Sequence, residues 1–557
     1  MKVCFRIAVA FLVTASLFVV GTAQAQDRMV GHITISSLER LVKANTEIAA
    51  AAENQGMAFG AALVAQQVLS PPFSAGVDIT RPVSVVAWIN DDMEKPDAFA
   101  LIPYKNLEML QKVLPLNTRI EEAGENAWTI NDSSYAVAKD GWIIVAKSKD
   151  NLPKNFCCES ARKVLDADAA TLDVSARLFI NSIPEKQRRE ALAEAVGDLR
   201  RAIDQHARCL GPALAAAAQK ELDNLLASAE RNNYVSPLES IQFGLKWNSD
   251  KKTLLAIEEF EAQTGSRLLR EITQATTPRA SKLAGFRDAD ATFSFGVNTF
   301  VPLLNDPVFG ESHDYQIGKL EEVVRHKVKD PEQLEKILGF IEASSPVWKA
   351  CKFNSTIDGS GNLYLKPDCA LLTLARRVPD GYALEGQFGD VRAYLNEYKK
   401  QECEKRFSDY AYSEDGDLHI YSLNVVIDDS CCKRKPCCDA LQKHFEGKLP
   451  ICLVYDKEMV YFAVGTGAKD RLLALIKCAK EDTQPALGAQ ISLMDVLWLG
   501  AIHEKNEEQK ASLEKALETL RDNGRGEVTL TLVPTDKGAR WELEISTSAI
   551  RMLKAAN

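Results

Sequence analysis

The cysteines of this 557-residue chain are the residues whose type and spacing could do chemistry. In the segment DDSCCKRKPCCDALQ, the pairs Cys431-Cys432 and Cys437-Cys438 flank a KRKP tetrapeptide. Four thiolates so close together could bind Zn²⁺ or Cu⁺, act in redox chemistry, or be oxidised to disulfides.

The spacing of these four cysteines favours disulfides over the other two kinds of site. C-C-x4-C-C differs from the C-x2-C spacing of zinc ribbons, and redox catalysis usually uses C-x-x-C at a helix N-terminus. We therefore predict a disulfide cluster, with a thiolate metal site or a redox role as the alternatives. Cys452 and Cys403 are further candidate members of this cluster.

The N-terminus predicts export. Lys2 and Arg6 precede an apolar run over residues 7–20, and Ala23 and Ala25 form an A-x-A cleavage pattern before Gln26. This order is typical of a secretory signal peptide, here residues 1–25. Because no later stretch is apolar enough to span a bilayer, we expect a periplasmic or secreted protein without a transmembrane segment in its mature chain.

Export makes disulfides plausible for the remaining cysteines as well. Of the 13 cysteines, Cys4 would leave with the signal peptide, so an even number remains. In an oxidising compartment an even set predicts structural disulfides, although the spacing does not fix the pairing. Cys351 and Cys369 flank a stretch whose residues 358–362 favour a tight turn. The candidates for structural disulfides are Cys351, Cys369, Cys157, Cys158, Cys209 and Cys478.

Four pairs of segments resemble each other in the same order along the two parts of the chain. The pairs are 32–42 with 294–304, 140–152 with 456–472, 176–186 with 495–505, and 240–263 with 527–547. In the first pair, a short strand runs into Ser36 or Asn298, each a good helix N-cap. The last pair alternates apolar and other residues with a period of two, which predicts sheets with one face buried and one wet.

These patterns predict an α+β fold of two tandem-duplicated domains, each an antiparallel twisted sheet with helices packed on one face. The first domain would span 26–275, with a helical insertion at about 204–236, and 276–290 would be a linker. The second would span 291–557, with a helical insert at about 319–343 and a Cys-rich hairpin-loop insertion at about 428–449.

Motifs for catalysis are missing from the sequence. It contains no G-x-S-x-G, H-E-x-x-H or Walker loop, and its seven histidines lack metal-ligand spacing. A net charge of -10 without a long basic run argues against a nucleic-acid partner.

We therefore expect an exported non-catalytic binding or cell-envelope scaffold protein, with no cofactor and no metal. Its partner would be a protein, an envelope component or an apolar small molecule. The alternatives are a carrier of a lipid or other apolar ligand, and a hydrolase with an unrecognised site.

Overall fold

The computed structural model describes residues 28–555 with gaps, so the predicted signal peptide lies outside the described residues. The longer gaps are 90–96, 114–118, 153–157, 202–215, 228–236, 301–306, 346–355, 387–406 and 427–444. Shorter ones lie at 54, 184, 187, 191–192, 195, 199, 217–218, 221, 225, 333, 336, 340, 343–344, 367–368, 504–505 and 522–523.

Twenty of the described strands form one antiparallel sheet, and two others form a small separate ribbon. The strands of the first part of the chain are β1 (Arg28–Ile35), β2 (Val83–Ile89), β3 (Asp97–Pro103), β4 (Ile120–Gly124), β5 (Ala127–Ile130), β6 (Ser134–Lys139), β7 (Trp142–Ala146), β8 (Val174–Phe179), β9 (Leu238–Asn248), β10 (Thr253–Ala262) and β11 (Arg279–Ala284). Those of the second part are β12 (Phe293–Phe300), β13 (Thr356–Lys366), β14 (Cys369–Arg377), β15 (Phe407–Asp415), β16 (Leu418–Val426), β17 (Lys448–Tyr455), β18 (Met459–Gly465), β19 (Lys480–Gln484), β20 (Leu487–Ser492), β21 (Glu527–Thr535) and β22 (Gly538–Ser546).

The prediction of two duplicated α+β domains is wrong, because β10 and β22 pair at the centre of one sheet over nine residue pairs. Outward from this pair, the strands follow as β9, β8, β1, β2, β3, β7, β6, β5 and β4 on one side. On the other side they follow as β21, β20, β12, β13, β14, β18, β17, β16 and β15. The chain order on the two sides corresponds strand for strand, yet the two sides are halves of a single sheet. An unpaired strand edge is a template for another strand, and here each half provides that partner for the other.

The helices lie on both faces of this sheet, which corrects the prediction of helices on one face. They are α1 (Leu38–Ala51), α2 (Gln55–Val68), α3 (Pro71–Gly76), α4 (Leu107–Val113), α5 (Cys158–Thr171), α6 (Arg267–Thr276), α7 (Pro307–Lys327), α8 (Ala468–Cys478), α9 (Leu493–His503), α10 (Glu507–Arg521) and α11 (Thr547–Ala555). We call the side that α5 and α8 cover the helix face. α1 packs on the opposite side, over β9 and β10.

Two apolar clusters hold α5 and α8 on the helix face. Leu165 of α5 is fully buried against Val86 and Phe99 of the first half. Leu472 of α8 is fully buried against a second cluster that includes Val454. Each such side chain contributes about 1.5–3 kcal/mol by leaving water, so these clusters are major stabilising contacts of the sheet.

Three local expectations differ from the structure. The N-cap of α1 is Ser37, whose Oγ accepts the Arg40 N–H at 3.0 Å, and not Ser36. Asn298 is no N-cap, because it lies within β12 and donates from Nδ2 to the Arg279 carbonyl at 2.7 Å. The sequence similarity paired residues 176–186 with 495–505, but the two segments form different elements. The first begins in strand β8, whereas most of the second is helix α9.

The expected tight turn at 358–362 is a continuous part of β13. Its glycines allow close contact within the sheet: a Cβ on Gly361 would lie 2.6 Å from the Phe295 ring. The glycines and serine of this stretch therefore predicted a turn. In the structure the strand needs small residues there, because the Phe295 ring lies against it.

Candidate functional site: a half-exposed apolar sheet face

A continuous row of apolar side chains crosses the side of the sheet opposite the helix face. Directly opposite residues of antiparallel strands share a face, so the register identifies this row. From β2 to β15 it consists of Val83, Ile35, Val174, Leu245, Ala256, Leu543, Leu530, Ala489, Phe295, Gly361, Leu374, Phe462, Leu453, Tyr421 and Tyr412. We call it the apolar row and its side the apolar face. At about 4.8 Å per strand it is about 67 Å long.

The apolar face is the more exposed of the two faces on β1, β2, β8 and β9. Leu245 in the row is 44% exposed, and Ile33 and Val85 on the same face are 43% and 46% exposed. Most other side chains of the row are half-buried. Large apolar side chains that remain this accessible in a continuous patch mark a binding surface.

Polar side chains of the same strands are buried on the helix face. This arrangement reverses the usual one, in which an antiparallel sheet buries its apolar side and turns its polar side to water. The buried polar residues are His32, Thr34, Ser84, Ser175, Ser240, Gln242, Ser294, Asn298, Asp358, Ser360, Asn362 and Thr373.

A cavity of about 340 Å³ lies on the apolar face where α1 and α2 cross β9 and β10. One wall is formed by the sheet and includes Leu245 of the apolar row. The other wall comes from the two helices, so the cavity lies between them and the strands. Its apolar lining includes Leu41, Ile48, Val64, Val174, Leu245 and Leu254.

Hydrogen bonds fix α1 above this cavity. The Trp247 indole donates from Nε1 to Glu47 Oε2 at 2.6 Å, and the Trp247 backbone N–H donates to Asp173 Oδ2 at 2.6 Å. Arg40 Nε lies 2.5 Å from Asp173 Oδ1. Hydrogen bonds from Ser249 and Trp247 hold the pKa of Glu47 below its ordinary value, which favours the charged acceptor. The wall that α1 contributes is therefore tied to the sheet.

One carboxylate interrupts the apolar face between β8 and β21 in the described strands. Glu258 of β10 lies opposite Phe243 of β9 and opposite Trp541 of β22. Burial among these groups raises the pKa of Glu258, because the charged form loses hydration. The site thus combines a large apolar area with a few polar groups, since Asn45, Asp173 and Lys246 also line the cavity.

On the helix face, hydrogen bonds and ion pairs link side chains from β2 to β10. Ser84 Oγ is 2.9 Å from Thr34 Oγ1, which is 3.0 Å from His32 Nδ1. His32 Nε2 lies 3.2 Å from Asp168 Oδ2, and Arg177 Nη2 donates to Asp168 Oδ1 at 2.9 Å.

The same network continues to β10 through the other guanidinium nitrogen. Arg177 Nη1 donates to Glu261 Oε2 at 2.9 Å, and Ser240 Oγ donates to the same oxygen at 2.6 Å. Burial by itself would raise the pKa of Asp168, but the His32 hydrogen bond and the Arg177 charge outweigh it and lower that pKa. Asp168 is thus held as a carboxylate.

The order hydroxyl, His32, Asp168 uses the residue types of a hydrolytic triad. However, Ser84 and Thr34 are each 1% exposed, and Asp168 is 5% exposed. No substrate reaches these hydroxyls in this structure, so we interpret the network as structural. It links several of the polar groups that the helix face buries, including Ser84, Thr34 and Ser240.

A second polar cluster, in which Tyr364 is buried and Asp288 is half-buried, ties α8 to the sheet in the other half. Tyr364 OH donates to Asp288 Oδ2 at 2.5 Å, and Arg471 of α8 binds the same oxygen. Burial and the nearby carboxylate raise the pKa of Tyr364, which keeps the phenol protonated as the donor. Arg471 also lies over the Tyr364 ring, at 5.2 Å from its centroid.

Three of the candidate cysteines lie in described parts of the chain with their side chains. Cys452 of β17 is fully buried on the helix face with a free thiol, and burial raises the pKa of that thiol to about 11. Cys478 is an exposed free thiol at the end of α8, and Cys369 begins β14. Among these three, no two form a disulfide with each other.

The remaining cysteine predictions stay predictions. Cys158 is the first residue of α5, and its side chain lies outside the described parts. Strands β16 and β17 pair with each other, and the chain between them contains the predicted disulfide cluster. The candidate cysteines that lie outside the described residues are Cys157, Cys209, Cys351, Cys403, Cys431, Cys432, Cys437 and Cys438.

Within the described part of the chain, no group of three or more His, Cys, Asp or Glu side chains could hold a metal ion. Among the helices that the structure describes, none combines the length and apolar composition needed to cross a membrane.

Comparison of the chain with protein-family models, with curated proteins and with solved structures found no match.

The sequence predicted the alternating apolar residues of β9 and β21. It did not predict that these residues contribute to a partly exposed apolar surface. The period-two alternation puts Ile241, Phe243, Leu245 and Trp247 on one side of β9, and the register places them on the apolar face. Of these four side chains, Trp247 is buried, Ile241 and Phe243 are half-buried, and only Leu245 is exposed, at 44%. An independent signal was visible in the sequence: residues 54–77 contain no charged side chain, and α2 lies within them.

Proposed function

We propose that the protein is an exported, non-catalytic carrier that binds a lipid or another small apolar molecule on its apolar face. The observation that supports this most directly is the apolar row, whose side chains remain partly exposed, Leu245 to 44%, while polar side chains of the same strands are buried. An apolar ligand that covers this row gains about 0.8 kcal/mol for each CH₂ group that it removes from water. Export from the cytoplasm remains a prediction from the N-terminal sequence.

The cavity beneath α1 and α2 favours a small molecule over a protein partner. Its volume of about 340 Å³ falls within the roughly 300–1,000 Å³ that is usual for small-molecule sites. A protein that covered the sheet as a flat interface would not need a concave space between the helices and the strands. The cavity and the apolar row share Leu245 and Val174, so one elongated ligand can contact both.

Glu258 is the group that we assign to the polar end of the ligand. A ligand site usually combines a mostly apolar lining with a few placed polar groups. With its raised pKa, Glu258 can present a protonated carboxyl that donates a hydrogen bond or a carboxylate that accepts one. A ligand with an acyl chain and a small polar head fits this pattern.

A hydrolase receives less support from the described residues. The nearest match to a catalytic arrangement, around His32 and Asp168, is buried on the helix face. It therefore faces away from the cavity. The carboxylates of Asp173 and Glu47 at the cavity are engaged in structural contacts, Asp173 with Arg40 and the Trp247 backbone N–H and Glu47 with the Trp247 indole.

The test measures binding of a dansyl-labelled fatty acid to wild type and to two variants. The residues that the two variants replace are equally exposed in the wild-type protein. Leu245→Glu places a carboxylate at the cavity wall and should weaken binding at least about tenfold, because a charge in an apolar site costs more than about 1.4 kcal/mol. Val496→Glu on α9 is the matched control, since both residues are 44% exposed, and it should bind as wild type does. Absence of binding by wild type, or equal weakening in both variants, would contradict the proposal. Native mass spectrometry of co-purified small molecules then identifies the ligand.

A further inference from the structure

The segment α2–α3, residues 55–76, exposes more large apolar side chains than its length predicts. Ten large apolar side chains are more than a third exposed among the described residues, and four of them lie between residues 59 and 69. Phe59 is 68% exposed, and Leu69 is 48% exposed. Leu63 and Val64 are each 45% exposed, so one short segment presents a concentrated apolar surface to water.

This segment also lacks charge completely. From Asn54 to Val77 the chain has no Asp, Glu, Lys, Arg or His, and Glu53 and Asp78 flank the stretch. Soluble protein surfaces usually carry about 25–35% charged residues, so 24 uncharged residues that include an exposed helix are unusual. The segment therefore lacks the charges that commonly set the orientation of a protein partner.

The segment is attached firmly to the rest of the protein at its start. Arg551 of α11 donates from Nε to the Ala51 carbonyl at 2.6 Å and lies 2.9 Å from Glu53 through Nη2. Ala61 is the buried residue of α2, at 3% exposure. The helix is thus held on one side while Phe59 and Leu63, one turn apart, remain accessible together.

We propose that α2 and α3 dock the protein on the surface of a lipid bilayer and pass the ligand between that bilayer and the cavity. This inference rests on the proposed carrier function, because a molecule of low water solubility must be collected from a membrane. The path is short: Val64 lines the cavity and is itself 45% exposed.

The geometry of α2 fits the interface and not the interior of a bilayer. Its 14 residues give a length of about 21 Å, whereas a span needs about 20 residues. Apolar side chains of an interfacial helix enter about 5–10 Å into the membrane surface. Because the segment has no charge, its binding should depend little on anionic lipid or on salt, unlike that of basic interfacial helices.

The test measures flotation of the full chain with phosphatidylcholine vesicles. Wild type should float with the vesicles in both low and high salt. Phe59→Ser combined with Leu63→Ser should lower partitioning at least tenfold, because two large side chains no longer enter the membrane. Val496→Ser is the control, since Val496 is similarly exposed, and it should float as wild type does.

Two further measurements distinguish docking from a folding defect and from self-association. Phe59→Trp should keep or increase flotation, since Trp favours the membrane interface. Equal flotation of wild type and the double Ser variant would overturn the assignment to α2. A dimer in solution that the double variant loses, with no flotation of wild type, would show that a second copy covers this surface and would overturn the proposal.

Failure of docking is distinguishable from failure of the carrier function. The double Ser variant should still bind the dansyl-labelled fatty acid from solution without vesicles, whereas Leu245→Glu should still float. If wild type floats through Phe59 and Leu63 but binds no fatty acid, docking stands and the carrier function fails. If wild type binds the fatty acid but does not float, the docking proposal fails alone.

Discussion

The two faces of the sheet divide stability and binding between them. On the helix face, Leu165 of α5 and Leu472 of α8 are fully buried, and hydrogen bonds and ion pairs link a buried network from Ser84 to Ser240. On the apolar face, large side chains such as Leu245 remain half-exposed next to a cavity. The fully closed clusters under α5 and α8 therefore lie on one side of the sheet, whereas the side on which α1 packs keeps partly exposed side chains and a cavity that can accept a ligand. Substitutions on the helix face should therefore cost stability, and substitutions on the apolar face should cost binding.

The largest effect is expected for Asp168→Ala. This change removes the carboxylate that lies between His32 and Arg177 and leaves a buried charge without one of its partners. Breaking a buried ion pair in this way costs about 3–5 kcal/mol of the free energy of unfolding. Urea denaturation followed by circular dichroism measures the loss.

The control for this prediction is an ion pair at the surface. Glu121→Ala removes a carboxylate that lies near Arg119, and the two side chains are 67% (Arg119) and 49% (Glu121) exposed. The expected change is within about 1 kcal/mol. If Asp168→Ala is as mild as Glu121→Ala, the helix face does not depend on the buried network.

The next effect compares two leucines on opposite faces. Leu165→Ala creates a cavity in a closed cluster and should cost about 2–5 kcal/mol. Leu245→Ala removes a side chain that is 44% exposed, so it should cost about 1 kcal/mol or less while weakening binding of the dansyl-labelled fatty acid. Equal losses of stability would show that the apolar face is as well buried in solution as the helix face. The proposed difference between the two faces would then be wrong.

A smaller and kinetic effect separates two thiols. Cys452 is buried on the helix face with a pKa raised to about 11, whereas Cys478 is exposed. A rise of about two pKa units lowers the thiolate fraction near pH 8 roughly 100-fold. Iodoacetamide should therefore modify native Cys478 first, and peptide mass spectrometry gives both rates. Rapid modification of Cys452 would mean that β17 opens readily.

The alternation of apolar residues was enough to predict β9, β10, β21 and β22 as two hairpins, and the structure contains both. The alternation did not predict that β10 and β22 pair with each other. Strand edges pair through backbone N–H and C=O groups, which every residue except proline carries, so side-chain patterns do not specify the partner edge.

The site was less predictable than the strands. Period two shows that Phe243 and Leu245 share a face, but it does not show which face the helices cover. The cavity needs α1 to cross β9, and this contact depends on the hydrogen bond between Glu47 and Trp247, which are far apart in the chain. The cysteine segment drew attention because of its residue types, whereas the uncharged stretch 54–77 was informative because of the types it lacks.

The smallest effect, and the sharpest test of the two faces, is the pH dependence of Glu258→Gln. Burial raises the pKa of Glu258, so the folded state binds this proton more tightly than the unfolded chain does. Its stabilising contribution is therefore complete below the unfolded pKa, near 4.5, and is lost as the pH rises through the folded pKa. The Gln variant carries no such proton, so its free energy of unfolding relative to wild type should rise from pH 4 toward pH 7.

Asp168→Asn on the helix face should show the opposite sign. The pKa of Asp168 is lowered, so its contribution is present above the unfolded value near 3.8 and is lost as the pH falls through the folded pKa. Wild type should therefore lose its advantage over this variant on acidification. Urea denaturation at several pH values measures both differences. A difference for Glu258→Gln that stays constant with pH would mean that water reaches this carboxyl freely, and the apolar face would then lack the dry surroundings that an apolar ligand needs.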